Sequence, residues 1–327
     1  MIKQMLVNIK KRLTSNSSLM ITLALFAILC VVGISVFSFQ LRTFLNLLNN
    51  NSYLIIVALG VTFVLLTGGI DISVGSAVAF TCMLSAYLLR AGVPPVVVIP
   101  AVLLFGFLFG SLMGFLINNY NLQPFIVTLG GLFFLRGMCA VISTTSIAIN
   151  NDFYTFMSQG KITLGRGENI YYHVIIALVV VAVAFYALRF TRFGRCVYAA
   201  GGSAQSSLLM GLPVKRVKIM VFGISGFCAA LGGVVYSFIA TAGDALQNMG
   251  MELEAISSAV IGGTLLSGGV GSAIGTTFGV LIQGIIQTIV VYLNLNTWWT
   301  KVSISAMLCV FIVIQRLIAT RAEKKRA

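Results

Sequence analysis

Apolar residues run through this chain in long blocks separated by short polar stretches, without the alternation or the one-sided spacing of water-soluble elements. A membrane-crossing helix needs about 20 predominantly apolar residues. By that measure the pattern predicts ten spans, at about 19–39, 53–67, 74–90, 94–118, 122–144, 170–190, 217–240, 252–266, 271–294 and 298–318. The second and eighth are short and run into glycine-rich breaks, so the number falls to eight if those pieces are re-entrant. The expected fold class is all-α, a polytopic membrane protein of eight to ten transmembrane helices forming one domain over residues 1–327. The first apolar run is long enough to span and has no small-residue cleavage site, which reads as a span and not as a cleavable signal peptide.

Composition agrees with this. Residues are 59% apolar and only 9% charged, with a mean hydropathy of +1.04, whereas a soluble domain carries roughly 25% charged residues. The net charge of +14 would point to nucleic acid in a soluble protein. Its distribution points instead to topology, so no nucleic-acid partner is expected. Basic residues cluster at Lys3, Lys10, Lys11 and Arg12, at Arg189, Arg192, Arg195, Lys215, Arg216 and Lys218, and at Arg316, Arg321, Lys324, Lys325 and Arg326. With the N-terminus inside, ten spans put all three clusters and both termini in the cytoplasm, as the positive-inside rule requires. Attraction to anionic membrane lipid follows as a secondary effect. Acidic Asp152, Glu168, Asp244, Glu252 and Glu254 fall in segments that would face the other side. Tyr171, Tyr172, Trp298 and Trp299 mark predicted outer boundaries, with His173 beside them as an interface residue.

The segment 189–218 holds no acidic residue and is too long and too rich in small residues for a simple turn. It reads as a cytoplasmic loop that offers a docking surface. Six cysteines (Cys30, Cys82, Cys139, Cys196, Cys228, Cys309) show no CxxC spacing and read as small buried hydrophobes, with no metal site. Gly106, Gly110 and Gly114 in the fourth span, and Gly271, Gly275 and Gly279 in the ninth, form small-xxx-small stripes that allow close backbone approach. Their spacing of five spans suggests an inverted repeat of five plus five.

Enzyme signatures are missing. Gly262 to Gly269 has the glycines of a phosphate loop without the Lys-Ser/Thr, and Gly269 to Ile274 lacks the third glycine of a dinucleotide fingerprint. The chain should bind no cofactor and no ATP by itself. Both this stretch and Thr67–Ser76 read as spans broken at depth, where free backbone groups are tolerated only against protein or a polar path. Asp71 lies in that second break, beside Ser73. It either caps the start of the third span or lies on a translocation path, and the two roles can coexist. Arg136, in the fifth span, is the other ionisable residue at depth; counting places it in the outer half, away from Asp71. Asn118, Asn119, Asn121, Gln123 and Pro124 form a tight connection into that span. Gln283 and Gln287, one turn apart on the ninth span, either line a pore or bond a neighbouring helix.

Four stretches in order carry a family resemblance: Gly68–Ser76, Gln123–Gly130, Arg192-Phe-Gly-Arg195 leading to Tyr198–Ser203, and Ile261–Gly271. Together, over nearly the whole chain, they resemble the permease subunits of bacterial ABC importers for monosaccharides. That is the ribose, xylose, arabinose and galactofuranose group, and a galactofuranose permease is the nearest likeness. The resemblance implies a separate cytoplasmic ABC ATPase subunit and a second permease, with a paralogue in a heterodimer expected. It also implies a periplasmic sugar-binding protein and residence in the bacterial inner membrane. It assigns a short ATPase-coupling helix to the basic loop, with Gly201, Gly202, Ser203, Gly211, Leu212 and Pro213 as coupling residues. Ser203 stands where many relatives have Asn; both cap helices. The competing class is an ion-gradient-driven sugar carrier. That class wants several intramembrane ionisable residues, and this chain offers Asp71 and Arg136.

Overall fold

A computed structural model describes residues 17–165, 168–296 and 298–324, with side chains described over 19–163, 165, 168–296 and 298–313. The basic clusters at Lys3 to Arg12 and at Lys325 and Arg326, and both chain termini, lie outside the described residues, as do the side chains of Arg316, Arg321 and Lys324.

Helices dominate. In chain order they are α1 (Ser17–Phe37), α2 (Leu41–Leu66), α3 (Val74–Arg90), α4 (Pro95–Asn119), α5 (Pro124–Ile142), α6 (Asp152–Gln159) and α7 (Tyr172–Phe190). Then follow α8 (Arg192–Gly202), α9 (Ala204–Leu209), α10 (Val214–Ala240), α11 (Met251–Ile261), α12 (Ala273–Tyr292) and α13 (Trp298–Lys324). Two small antiparallel pairs join β1 (Ile147–Ala148) to β4 (Ala242–Gly243) and β2 (Lys161–Gly165) to β3 (Glu168–Tyr171). Among the described residues, seven helices are long and apolar enough to cross a membrane: α1, α2, α4, α5, α7, α10 and α12. The apolar parts of α3 and α13 are shorter.

Two expected spans change shape. The stretch at 53–67 is the second part of a 26-residue helix that starts at Leu41. The polar run Asn49–Ser52 hid that helix because its amides are satisfied internally and by the neighbouring hairpin. Asn51 donates to the Leu47 carbonyl (2.9 Å), while Asn49 donates to Asn169 O (3.1 Å) and accepts from Tyr171 N (3.2 Å). The stretch at 252–266 is not one continuous helix: the eleven-residue α11 stops at Ile261, and residues 262–272 form an irregular turn. In that turn Gly263, Gly268 and Gly269 adopt φ of +92°, +87° and +77°, which a side chain would strain.

α2 and α10 are the buried centre, and α10 packs most extensively against α4, then α2 and α3. The fourth-span stripe explains the tightest contact. A Cβ at Gly106 would meet Ala230 and the Gly226 carbonyl; one at Gly110 would meet the Phe222 carbonyl; one at Gly114 would lie against Ile219 and Phe222. In the other stripe, Gly275 and Gly279 press against the Gly262 and Ser258 backbone of the α11 segment, but Gly271 precedes α12 and belongs to the turn. By contrast Gly130 and Gly137 on α5 face open space.

This contrast gives a stability test. Gly110→Ala forces the α4 and α10 backbones apart and should lower stability by about 1–3 kcal/mol. Gly137→Ala should leave it unchanged or slightly higher, since alanine is the better helix former. Thermal unfolding of the two purified variants in one detergent checks the difference; equal midpoints would discard the close-approach account.

Candidate translocation seam and coupling junction

After Leu66 the chain does not leave the bundle. Gly69 packs beside Val64 and Phe222, and Asp71 meets Ser225, which itself lies against Gly60. Six residues separate Gly60 from Leu66, so the segment climbs back by about 9 Å along α2 before α3 begins. The Asp71 carboxylate is fully engaged there. Its Oδ1 accepts from the Ser73 amide (3.0 Å) and hydroxyl (2.7 Å), and its Oδ2 accepts from the Ser225 hydroxyl (2.8 Å). Ser73, not Asp71, is the residue immediately before α3. Asp71 therefore closes an Asx turn ahead of the helix and ties the irregular segment before α3 to α10. Thr128 of α5 adds a bond to the Ile70 carbonyl (3.4 Å).

A second descending segment meets it. Between β4 and α11 the chain runs beside α3, with Gly243 against Met83 and Ala86 and, further on, Glu252 against Gly75. Arg136 holds this descent by donating to the carbonyls of Ala245 (2.8 Å) and Gln247 (2.7 Å). So Asp71 and Arg136 are not paired: each bonds a different irregular segment. The first turns of α3 and α11 face each other at depth, and Gly75 must lack a side chain because Glu252 fills that space. One Glu252 carboxylate oxygen is buried without a hydrogen-bond partner between two helix N-termini, whose positive ends favour an anion. Glu252 lies at the seam, where the first turns of α3 and α11 meet. No composition signal distinguished it from Asp244.

Gln283 is fully buried, and its amide donates to Ser257 Oγ (2.6 Å) and the Glu254 carbonyl (3.3 Å), while its Oε1 is unpartnered. Gln287 is half-buried one turn away. Below them Thr62 and Thr276 share a hydrogen bond (2.7 Å) that joins α2 to α12. The polar groups of α12 thus bond neighbouring helices in this conformation. Among the described residues, no three His, Cys, Asp or Glu side chains are grouped to hold a metal.

The three glycine-rich stretches singled out in the sequence converge on the basic face. The Gly269 amide donates to the Leu66 carbonyl (2.9 Å), Gly201 presses on Leu66 and Gly269, and Gly268 lies over Gly68. Tyr198 locks the contact by donating to the Gly271 carbonyl (2.8 Å). Burial pushes the Tyr198 phenol up, against the opposing pull of Arg189, so it stays a donor. Of the expected coupling residues, Gly201 is therefore turned inward, whereas Gly202, Ser203, Gly211 and Pro213 are exposed and Leu212 is half-buried. Ser203 caps α9, accepting from the Ser206 amide (3.2 Å). Sequence reasoning missed the apolar knob beside them: Leu208, Leu209 and Met210 are exposed by 55%, 87% and 68% on an otherwise basic loop.

Removing the Asp71 carboxylate strands the Ser225 and Ser73 hydroxyls. Asp71→Ala should cost about 1–3 kcal/mol, and Ser225→Ala less. The two losses should be non-additive in a double-mutant cycle read by thermal unfolding. Full additivity would sever Asp71 from Ser225.

Comparison with known proteins agrees over most of the chain. Residues 43–312 match the family described as "Branched-chain amino acid transport system / permease component". The chain is 42% identical over 320 residues to the inner membrane ABC transporter permease protein YjfF of Escherichia coli, covering 95% of this chain and 96% of that one. It is 40% identical to the fructose import permease protein FruG of Bifidobacterium longum, over 92% and 91% of the two chains. It is 34% identical to the ribose import permease protein RbsC of Haemophilus influenzae, over 86% and 88%. No solved structure matches the chain. With a family match over most of its length, several helices apolar enough to span and near-full-length relatives named as permeases, the chain belongs to this permease family and is a multi-pass membrane transport subunit, not an enzyme.

Proposed function

We propose that the protein is the permease subunit of an ATP-driven importer that moves a monosaccharide into the cytoplasm, with ATP hydrolysis on a separate ABC ATPase. The observation that carries this reading is the basic-face junction. An exposed apolar knob at Leu208–Met210 is linked by α8, the Tyr198 bond and the Gly269–Leu66 bond to the re-entrant segments at the centre of the bundle. A subunit docked on the knob could thereby act on the seam. The sugar class follows the relatives named above, whose names specify fructose and ribose; galactofuranose is the substrate favoured by the sequence resemblance.

The remaining parts of the reading fit the same geometry. Charge places residues 189–218 and both termini in the cytoplasm. Ten crossings result if α3 and α11 each count as one, with α11 and its turn completing a crossing together. The two re-entrant starts, α3 and α11, support an inverted repeat, since the halves then meet at their discontinuous helices. Asp71, Ser73, Arg136, Gln283 and Gln287 border the seam and are the proposed path. A second permease, a paralogue, completes it, and a periplasmic sugar-binding protein delivers the substrate on the face of α6 and the β2–β3 hairpin.

Reconstitution tests the class. Uptake of labelled monosaccharide should require the ATPase subunit and ATP; uptake that persists without them and follows an ion gradient would refute the reading. The knob is tested by Leu209→Asp with Met210→Asp, which should abolish co-purification of the ATPase while the permease still inserts. Gly211 is a poorer target, because its φ of +74° means that any side chain strains the turn itself.

A further inference from the structure

A cleft of about 380 Å³ opens on the basic face between the end of α7, the middle of α8 and the turn into α12. Arg189 and Arg195 line it, together with Phe185, Leu188, Tyr198 and the backbone of Gly269–Ala273. Both arginines are exposed. No acidic residue occurs anywhere in 169–243 or 255–322, so α7, α8, the turn and α12 carry three arginines, two of them lining the cleft, and no countercharge. α2, which backs α7, has none either.

The rest of the lining says what kind of anion fits. Arg189 lies 6.0 Å from the centroid of the Phe185 ring, which holds its stem on the apolar wall and its charge at the rim. Tyr198 is committed to the Gly271 carbonyl and is therefore a wall, not a ligand. Ser272 caps the 20-residue α12, accepting from the Gly275 amide (3.0 Å), so the positive end of that helix borders the cleft beside the arginines. Phe185 and Leu188 belong to a membrane span. The site is thus cationic on the aqueous side and apolar on the membrane side, the pattern of an anionic amphiphile. The positive-inside rule puts it at the leaflet that carries anionic headgroups.

We propose that this cleft binds the headgroup phosphate of an anionic phospholipid, with Arg189 and Arg195 on the phosphate and the first acyl carbons along Phe185 and Leu188. The lipid would bridge α7 and α8 to the turn that contacts Leu66, and so fasten the coupling loop to the bundle.

The test uses the full chain in neutral detergent, titrated with phosphatidylglycerol or phosphatidylcholine and read by native mass spectrometry and by thermal shift. The double variant Arg189→Gln with Arg195→Gln is compared with Lys215→Gln and Arg216→Gln, an equal loss of charge outside the cleft. Phosphatidylglycerol binding should weaken roughly tenfold or more in the first and little in the second. Arg189→Lys with Arg195→Lys checks folding and should retain part of the affinity. Equal losses in both Gln pairs, or no preference over phosphatidylcholine, would overturn the site. Competition by millimolar inorganic phosphate alone would replace the lipid with a free anion. Loss of ATPase co-purification with unchanged lipid preference would assign the arginines to a protein carboxylate instead.

Discussion

The bond from the Gly269 amide to the Leu66 carbonyl depends on a constraint that governs the whole molecule: no backbone polar group can be left bare where water is absent. α2 ends in the interior, and its last carbonyls need donors. The turn after α11 also leaves the helical pattern and has amides to give. Each interruption supplies what the other lacks, so neither can be moved alone. Gly201, Gly268 and Gly68 are small because the three backbones must come within bonding distance of one another.

A similar economy holds at the seam. Asp71 and Arg136, the two ionisable side chains that looked most costly, fasten irregular backbone to regular helices through short hydrogen bonds. Around them several buried atoms stay without a partner: one oxygen of Glu252, beside two helix starts, Asn248 Nδ2, Ser258 Oγ, Thr264 Oγ1 and one oxygen of Gln283. Buried groups of this kind are the exception in a folded chain and call for partners. The seam and the junction are joined along α2 and α10.

Much of this was legible in the residues. Long apolar blocks gave most of the long helices within a few positions, and the Gly106–Gly114 stripe identified the closest helix contact. The failures have physical causes. Asn49–Ser52 looked like a break because side-chain hydrogen bonds that satisfy amides inside a helix have no one-dimensional signature. The stretch 252–266 looked like one continuous helix because hydropathy does not register the positive φ of Gly263 or the early stop at Ile261. The meeting of Glu252 with Gly75 was not legible because how two segments pair is not a property of either segment alone. Gly201 was expected to face a partner and instead faces Leu66, since a glycine signals close approach without saying to what.

The knob at Leu208–Met210 also bears on how the protein is made. A triplet of large apolar side chains held out into water on a rigid turn is the kind of surface that proteolytic quality control recognises. Were the proposed ATPase to dock there, a permease made without it would keep that surface uncovered and a matched one would hide it. The cellular lifetime of the chain would then follow subunit supply, through the end of α9 and the residue after it.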